Sequence, residues 1–264
     1  MIAFRALLRK ELAVLFASPV AYLVLTSVAL MTAIVFFEHL RLYNQILFLF
    51  ATTTMGGFES DTVPTHVNLR DTVFNPVMEQ LSLLLVVPIP LVTMRVFAEE
   101  RARGTDELLL TAGLSPARIV AAKYCATFLF VSLAMALSFV YPATAVLQGG
   151  LGLQHLLAVF LGMTLLALAF AAIGLVCSSL TSSQLVAASA AAAVCFVFYD
   201  LSWLYPFVGE GVGTVLDELS LHPRFGRFAE GVVRAADLVF FVALSLACAS
   251  ATRAALELRR TGAN

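Results

Sequence analysis

Charge is what this sequence has least of. Only 12% of its 264 residues are Asp, Glu, Lys or Arg, while 61% are hydrophobic; a soluble domain carries about 25% charged residues. A chain of this size with so little charge cannot solvate its own surface, which leaves lipid as its solvent. Lysine is scarcer still. The chain has two, Lys10 and Lys123, preceded by Arg9 and Ala122. Neither completes a GxxxxGK[ST] phosphate loop, so the sequence holds no ATP-binding motif of that kind. A net charge of -1 excludes a strongly basic nucleic-acid binder. Cys125, Cys177, Cys195 and Cys248 fall in apolar stretches without CxxC spacing and read as small packing residues. His39, His66, His155 and His222 are scattered, with no HExxH, which argues against a zinc site. No paired intramembrane aspartates or serine–histidine pair suggest an intramembrane enzyme. The serines of 178–184 have no nearby base and read as a helix-capping turn.

What the sequence does have is apolar runs of spanning length. A transmembrane helix needs about 20 apolar residues. This predicts an all-α polytopic membrane protein forming one transmembrane domain over 1–264, with spans at about 19–37, 77–96, 119–147, 155–177, 185–205 and 237–255. Pro88 and Pro90 should kink the second span. The fourth and fifth are read from a charge-free stretch, residues 156–199. The first run is too long for a signal-peptide core, so it should stay in the mature protein. The segments 38–76 and 206–236 are expected to be external loops; the first suits a small cap, the second one or two interfacial helices, with ordinary exposed loops as the alternative. With the N-terminus inside, eleven Lys and Arg residues lie on the cytoplasmic side and five opposite, which supports cytoplasmic N- and C-termini.

Polar residues near the spans read mainly as boundary markers. Asp200 sits among Tyr199, Trp203 and Tyr205, an aromatic belt at headgroup level, and Glu79, Arg95 and Asp237 are expected to snorkel from span ends. No span then carries a proton relay. The small residues of 187–193 should let helix backbones approach closely.

Two segments stand out. Residues 1–17 have a near-helical apolar period broken by Arg5, Arg9, Lys10 and Glu11. They predict an amphipathic interfacial helix with its basic side toward lipid headgroups, serving either as a topology anchor or as a platform for a cytoplasmic partner. The second is the loop after span 2, with Glu99, Glu100, Arg101, Gly104, Thr105, Asp106 and Glu107. Gly104 can break a helix, Thr105 can N-cap another, and Asp106 and Glu107 suit its first turn. Gly113 can end it, and Ser115-Pro116 can start span 3. This is a compact capped helix, suited to receive force from a soluble motor.

The segment Glu99-Glu100-Arg101, Gly104-Thr105-Asp106, Leu108-Leu109, Leu114-Ser115, Ile119-Val120 and Ala122-Lys123-Tyr124 resembles the coupling region of ABC-2-type transporter permeases. Lys10-Glu11, Phe16, Ser18-Pro19 and Ala21-Tyr22 resemble the start of that superfamily's gliding-motility-associated branch, and Arg227 to Phe241 resembles its last external element and final helix. Gly113 departs from the family's usual proline, which should loosen the end of the coupling helix. The resemblance implies a permease subunit in a bacterial inner membrane, not catalytic itself and binding no cofactor of its own. ATP and Mg would sit on a separate cytoplasmic ABC ATPase, coupled through Glu99 to Glu107 and the N-terminal helix. It also implies a dimer with a second permease protomer, homo- or heteromeric, and export as the direction, and leaves a further extracytoplasmic component open. A secondary carrier or channel without an ATPase is the alternative.

Overall fold

A computed structural model describes residues 2–55, 68–105, 115–149, 152–260 and 262. The described residues are helical, with no strand among them. The helices are α1 (Ile2–Ala17), α2 (Pro19–Met55), α3 (Asn75–Leu84), α4 (Pro88–Ala102), α5 (Pro116–Ser138), α6 (Val140–Gly149), α7 (Leu153–Leu180), α8 (Gln184–Tyr199), α9 (Tyr205–Leu219), α10 (Leu221–Ala229) and α11 (Ala235–Arg260). Five stretches are long and apolar enough to cross a membrane: Pro19–Thr52, Arg70–Ala102, Pro116–Ser138, Leu153–Leu180 and Ala235–Arg260. The remaining expected span, the fifth in chain order, is α8, a shorter apolar helix of 16 residues, about 24 Å long at 1.5 Å per residue.

Where the helices break, the sequence supplies the reason. Pro88 and Pro90 lack the N–H groups that would bond the Leu84 and Val86 carbonyls, and the chain tightens into a turn between α3 and α4. Pro142 likewise leaves the Ser138 carbonyl without its helical donor, and the third span is divided into α5 and α6 at Phe139 rather than continuous to residue 147. α8 stops at Tyr199 instead of residue 205, because Asp200 turns extended and its Oδ1 accepts from Ser202 N at 2.9 Å. That contact gives Asp200 a local turn-forming role. α2 runs on to Met55, so residues 38–55 are helix where the sequence suggested loop. Its 37 residues are about 55 Å long, well beyond a hydrocarbon core of about 30 Å. Residues 206–229 fold as α9, broken at Gly209 (φ 72°), followed by α10.

α7 is the central element. It packs against α4, α5, α8, α10 and α11, and small side chains let it do so. A Cβ at Gly174 would overlap the Thr93 side chain of α4, and one at Gly162 would overlap Phe228 of α10. In lipid, where apolar contact with a neighbour replaces apolar contact with acyl chains, such close approach is a main source of helix association.

The bundle has two polar ends. At one, Asp237 in the first turn of α11 is fully buried rather than snorkelling. Arg224 Nη1 reaches its Oδ1 at 2.9 Å, and Arg227 Nε its Oδ2 at 2.8 Å. Leu221, Phe225 and Phe228 carry α10 into the core beside it. At the other end, the N-terminal helix α1 and the ends of α4, α7 and α11 lie together, since Arg259 donates to Leu180 O and Ser178 bonds α4.

Gly174→Ala is expected to destabilise the protein by about 1–3 kcal/mol through overpacking, read as a lower melting temperature in detergent. Gly226→Ala, where an added Cβ meets nothing within 4 Å, should be neutral or stabilising because alanine is the better helix former.

Candidate functional site

The second polar end is built around a lysine that has no access to solvent. Lys123 lies about two turns into α5 and is 1% exposed. An ammonium carries three donors, and all three are used. Nζ reaches Glu11 Oε2 at 3.0 Å, Glu100 Oε2 at 2.9 Å and the Val96 carbonyl at 2.8 Å. The remaining oxygens of both carboxylates turn to the other lysine: Lys10 Nζ lies 3.0 Å from Glu11 Oε1 and 2.6 Å from Glu100 Oε1. The result is a closed ring of alternating sign, Lys123–Glu11–Lys10–Glu100, with no net charge. It joins α1, α4 and α5.

Helical spacing explains how the ring forms. On α1, Leu7 and Glu11 are four residues apart and share the buried face, while Arg5 and Arg9 are exposed. The basic side expected to meet headgroups therefore keeps Arg5 and Arg9, whereas Glu11 turns inward and Lys10, still about half exposed, reaches the ring from its rim. Burial would lower the Lys10 pKa. The hydrogen bond to Glu100 and the charges of Glu11 and Glu100 outweigh it and hold the ammonium above its ordinary value.

The same end of α4 is fixed from its other sides. Ser178 Oγ of α7 accepts from Phe97 N and Ala98 N, both at 3.1 Å, and donates to Met94 O at 2.8 Å. Arg101 donates to the Ser179 carbonyl. Arg95 Nη1 donates to Ser18 Oγ at 2.7 Å, at the α1–α2 elbow. Glu99 turns outward and pairs with Arg103 at 2.6 Å. Gly104 then takes a left-handed conformation (φ 67°) that ends the helix. Thr105 Oγ1 donates back to Glu100 O at 3.2 Å, a contact that caps the end of α4. Asp106, Glu107 and the rest of the expected coupling helix to Leu114 lie outside the described residues. Ser115 and Pro116 do open α5, at its N-cap and first position.

Of the residues singled out in the sequence, the fold thus gathers Lys10, Glu11 and Glu100 into one cluster, with Glu99, Arg101, Gly104 and Thr105 around it. Sequence reading missed Lys123 and Ser178. The signal for Lys123 was present: an ionisable residue among apolar ones at the start of a span requires a partner. No cluster of three or more His, Cys, Asp or Glu able to hold a metal occurs among the described residues.

At its centre the arrangement is a network of mutually paired ammonium and carboxylate groups that ties three helices together. A family model described as ABC-2 family transporter protein matches residues 74–208, half the chain, from the start of α3 to α9. The chain belongs to the ABC-2 transporter family. The comparison with curated proteins finds no match. Membership makes the chain a multi-pass membrane component of a transport system, a permease subunit rather than the catalytic one, and implies an ABC ATPase subunit as its partner. The ABC-2 match contains Glu100 and Lys123 but not α1, so the ring ties a segment outside the matched region to its first crossing helices.

Two outcomes follow for this ABC-2 chain. Lys123→Met leaves Glu11 and Glu100 facing each other in a buried site and should cost about 3–5 kcal/mol, seen as a depressed melting temperature. Adding Glu11→Gln and Glu100→Gln should recover most of it. The contribution of Lys10 should be fully present below pH about 10.4, its unfolded value, and fade as pH rises through its higher folded pKa. The melting-temperature gap between wild type and Lys10→Met should therefore stay constant up to pH about 10 and narrow above it.

Proposed function

We propose that this chain is the membrane-spanning half of a bacterial ABC exporter of the gliding-motility-associated branch, working as a dimer with a cytoplasmic ATPase on each half. ATP and Mg bind and react on that partner. In this reading the chain crosses the membrane six times, with α8 as the short fifth crossing, and both termini face the cytoplasm. Support comes from the shared end of α1, α4, α7 and α11, which requires an even number of crossings between α1 and the end of α11. The excess of Lys and Arg at that end favours the cytoplasmic side.

The observation that carries the coupling role is the closed ring at the root of the segment that continues beyond Gly104. A force on that segment enters α4 at Glu100 and Arg101. From there it has short, charge-assisted routes: to α1 through Lys10 and Glu11, to α5 through Lys123, and to α7 through Arg101 and the Ser179 carbonyl, with neutral bonds to Ser178 beside the last. Charge-assisted hydrogen bonds are roughly twice as strong as neutral ones, so these helices move with α4. Glu99, Arg103, Asp106 and Glu107 are the residues assigned to face the ATPase; Glu100 and Arg101 transmit inward. Arg5 and Arg9 anchor α1 on the lipid surface.

Copurification in mild detergent should yield a polypeptide with a GxxxxGK[ST] motif. The double variant Glu99→Ala/Arg103→Ala removes an exposed pair worth at most about 1 kcal/mol to stability. It should leave the melting temperature unchanged and weaken ATPase association about tenfold or more, as loss of interface anchors does. Unchanged association and transport would remove the coupling assignment. Gradient-driven transport by this chain alone in proteoliposomes would replace the reading with a secondary carrier.

A further inference from the structure

Beside the ring, between the α1–α2 elbow and α4, lies a cleft of about 440 Å³. Ligand sites generally occupy about 300–1,000 Å³. One wall is apolar, formed by Val14, Val20 and Val92; the other is charged. Nearly all of that charge is already matched. The two lysines and Glu11 and Glu100 neutralise each other in the ring, and Glu99 pairs with Arg103. Arg95 is the exception. It lines the cleft and meets no carboxylate among the described residues; its one described hydrogen bond is to the neutral Ser18 hydroxyl, and its Nε is buried without a partner.

A half-buried guanidinium without a counter-ion is a costly arrangement, and a planar fork of donors matches a phosphate. A water-soluble phosphate would satisfy Arg95 but leave the valine wall bare. An amphiphile satisfies both. The cleft also sits where α1 turns into α2, the depth at which an interfacial helix meets lipid headgroups. We propose that this cleft binds an anionic glycerophospholipid from the leaflet on which α1 lies, its phosphodiester on Arg95 and the first carbons of an acyl chain along Val14, Val20 and Val92. Bound there, the lipid wedges the α1–α2 elbow against α4 next to the ring. It thus becomes a third element of the joint, supplied by the membrane, and its occupancy sets how firmly α1 follows α4.

Native mass spectrometry of the full chain in mild detergent tests this without an ATPase, so its outcome is independent of the coupling assignment. Phosphatidylglycerol, phosphatidylcholine and glycerol phosphate are the probes. Phosphatidylglycerol should be retained in preference to phosphatidylcholine, and Arg95→Gln should reduce its retention about tenfold, the loss expected for a hydrogen bond to a charged group. Val14→Trp fills the cleft without changing any charge and should reduce it similarly, which keeps the test decisive if Arg95→Gln does not fold. Arg253→Gln, on the exposed side of α11, should retain phosphatidylglycerol as wild type does. Equal retention of the two lipids, or undiminished phosphatidylglycerol in Arg95→Gln or Val14→Trp, overturns the proposal. Glycerol phosphate binding as tightly as phosphatidylglycerol also overturns it, making the cleft a site for soluble phosphate.

Discussion

A lysine ammonium with no access to water has few stable environments, and Lys123 constrains everything around it. The effective penalty for removing an ion from water is several kcal/mol. It is offset only when each donor finds an oxygen and the charges balance locally. Two carboxylate oxygens from two helices and one backbone carbonyl meet that demand. Two carboxylates beside one ammonium would leave a net negative charge, and Lys10 removes it. The amphipathic helix is therefore more than a surface float. It must fold back onto α5 to place Glu11, and α4 must end at the same level to place Glu100. Ion-pair networks of this kind add little net stability over apolar packing. Their effect here is to fix which helix ends meet.

The middle of the bundle is held by a different force. α7 has no Asp, Glu, Lys or Arg between His155 and its end at Leu180, and it packs through small residues against larger partners, Gly174 on Thr93 and Gly162 on Phe228. Contacts of that sort are rigid because the backbones are close, and they leave the polar ends as the places where geometry can be tuned. The two ends are unlike. At the end distant from α1, Asp237 draws two arginines of α10 onto the first turn of α11, with Arg224 also stacked 3.9 Å over Phe240. At the α1 end the ring is closed and neutral, with a cleft beside it whose guanidinium lacks an acid.

Membership of the ABC-2 family gives this mechanical arrangement a context. A permease subunit needs no reactive group, only stiff connections between the segment a motor touches and the helices that bound a pathway. In the coupling proposed above, the end of α4 supplies these connections: from Met94 to Thr105 the chain contacts α1, α5, α7 and the α1–α2 elbow through directed polar bonds.

The apolar runs by themselves determined the membrane class, the all-helical architecture and the approximate position of the helices, because only internally bonded helices satisfy the backbone in lipid over such lengths. Pro88 and Pro90 announced their break, and Gly104 the end of α4, because proline and glycine act on the local backbone. Helix ends were less legible. Residues 38–55 carry enough polar groups to read as loop, yet α2 continues through them; Pro142 acted four residues upstream, on the Ser138 carbonyl. The partners of charged residues were not legible at all. Asp237 looked like a boundary residue reaching for water and Lys123 was not singled out, whereas each is buried in a network. Their partners lie 10 to 112 positions away in sequence, and only the packing of α1, α4 and α5, or of α10 on α11, brings those charges within bonding distance. Sequence thus determined that the chain is dissolved in lipid, since solvation depends on composition; tertiary structure decided where its few charges meet, since pairing depends on distance.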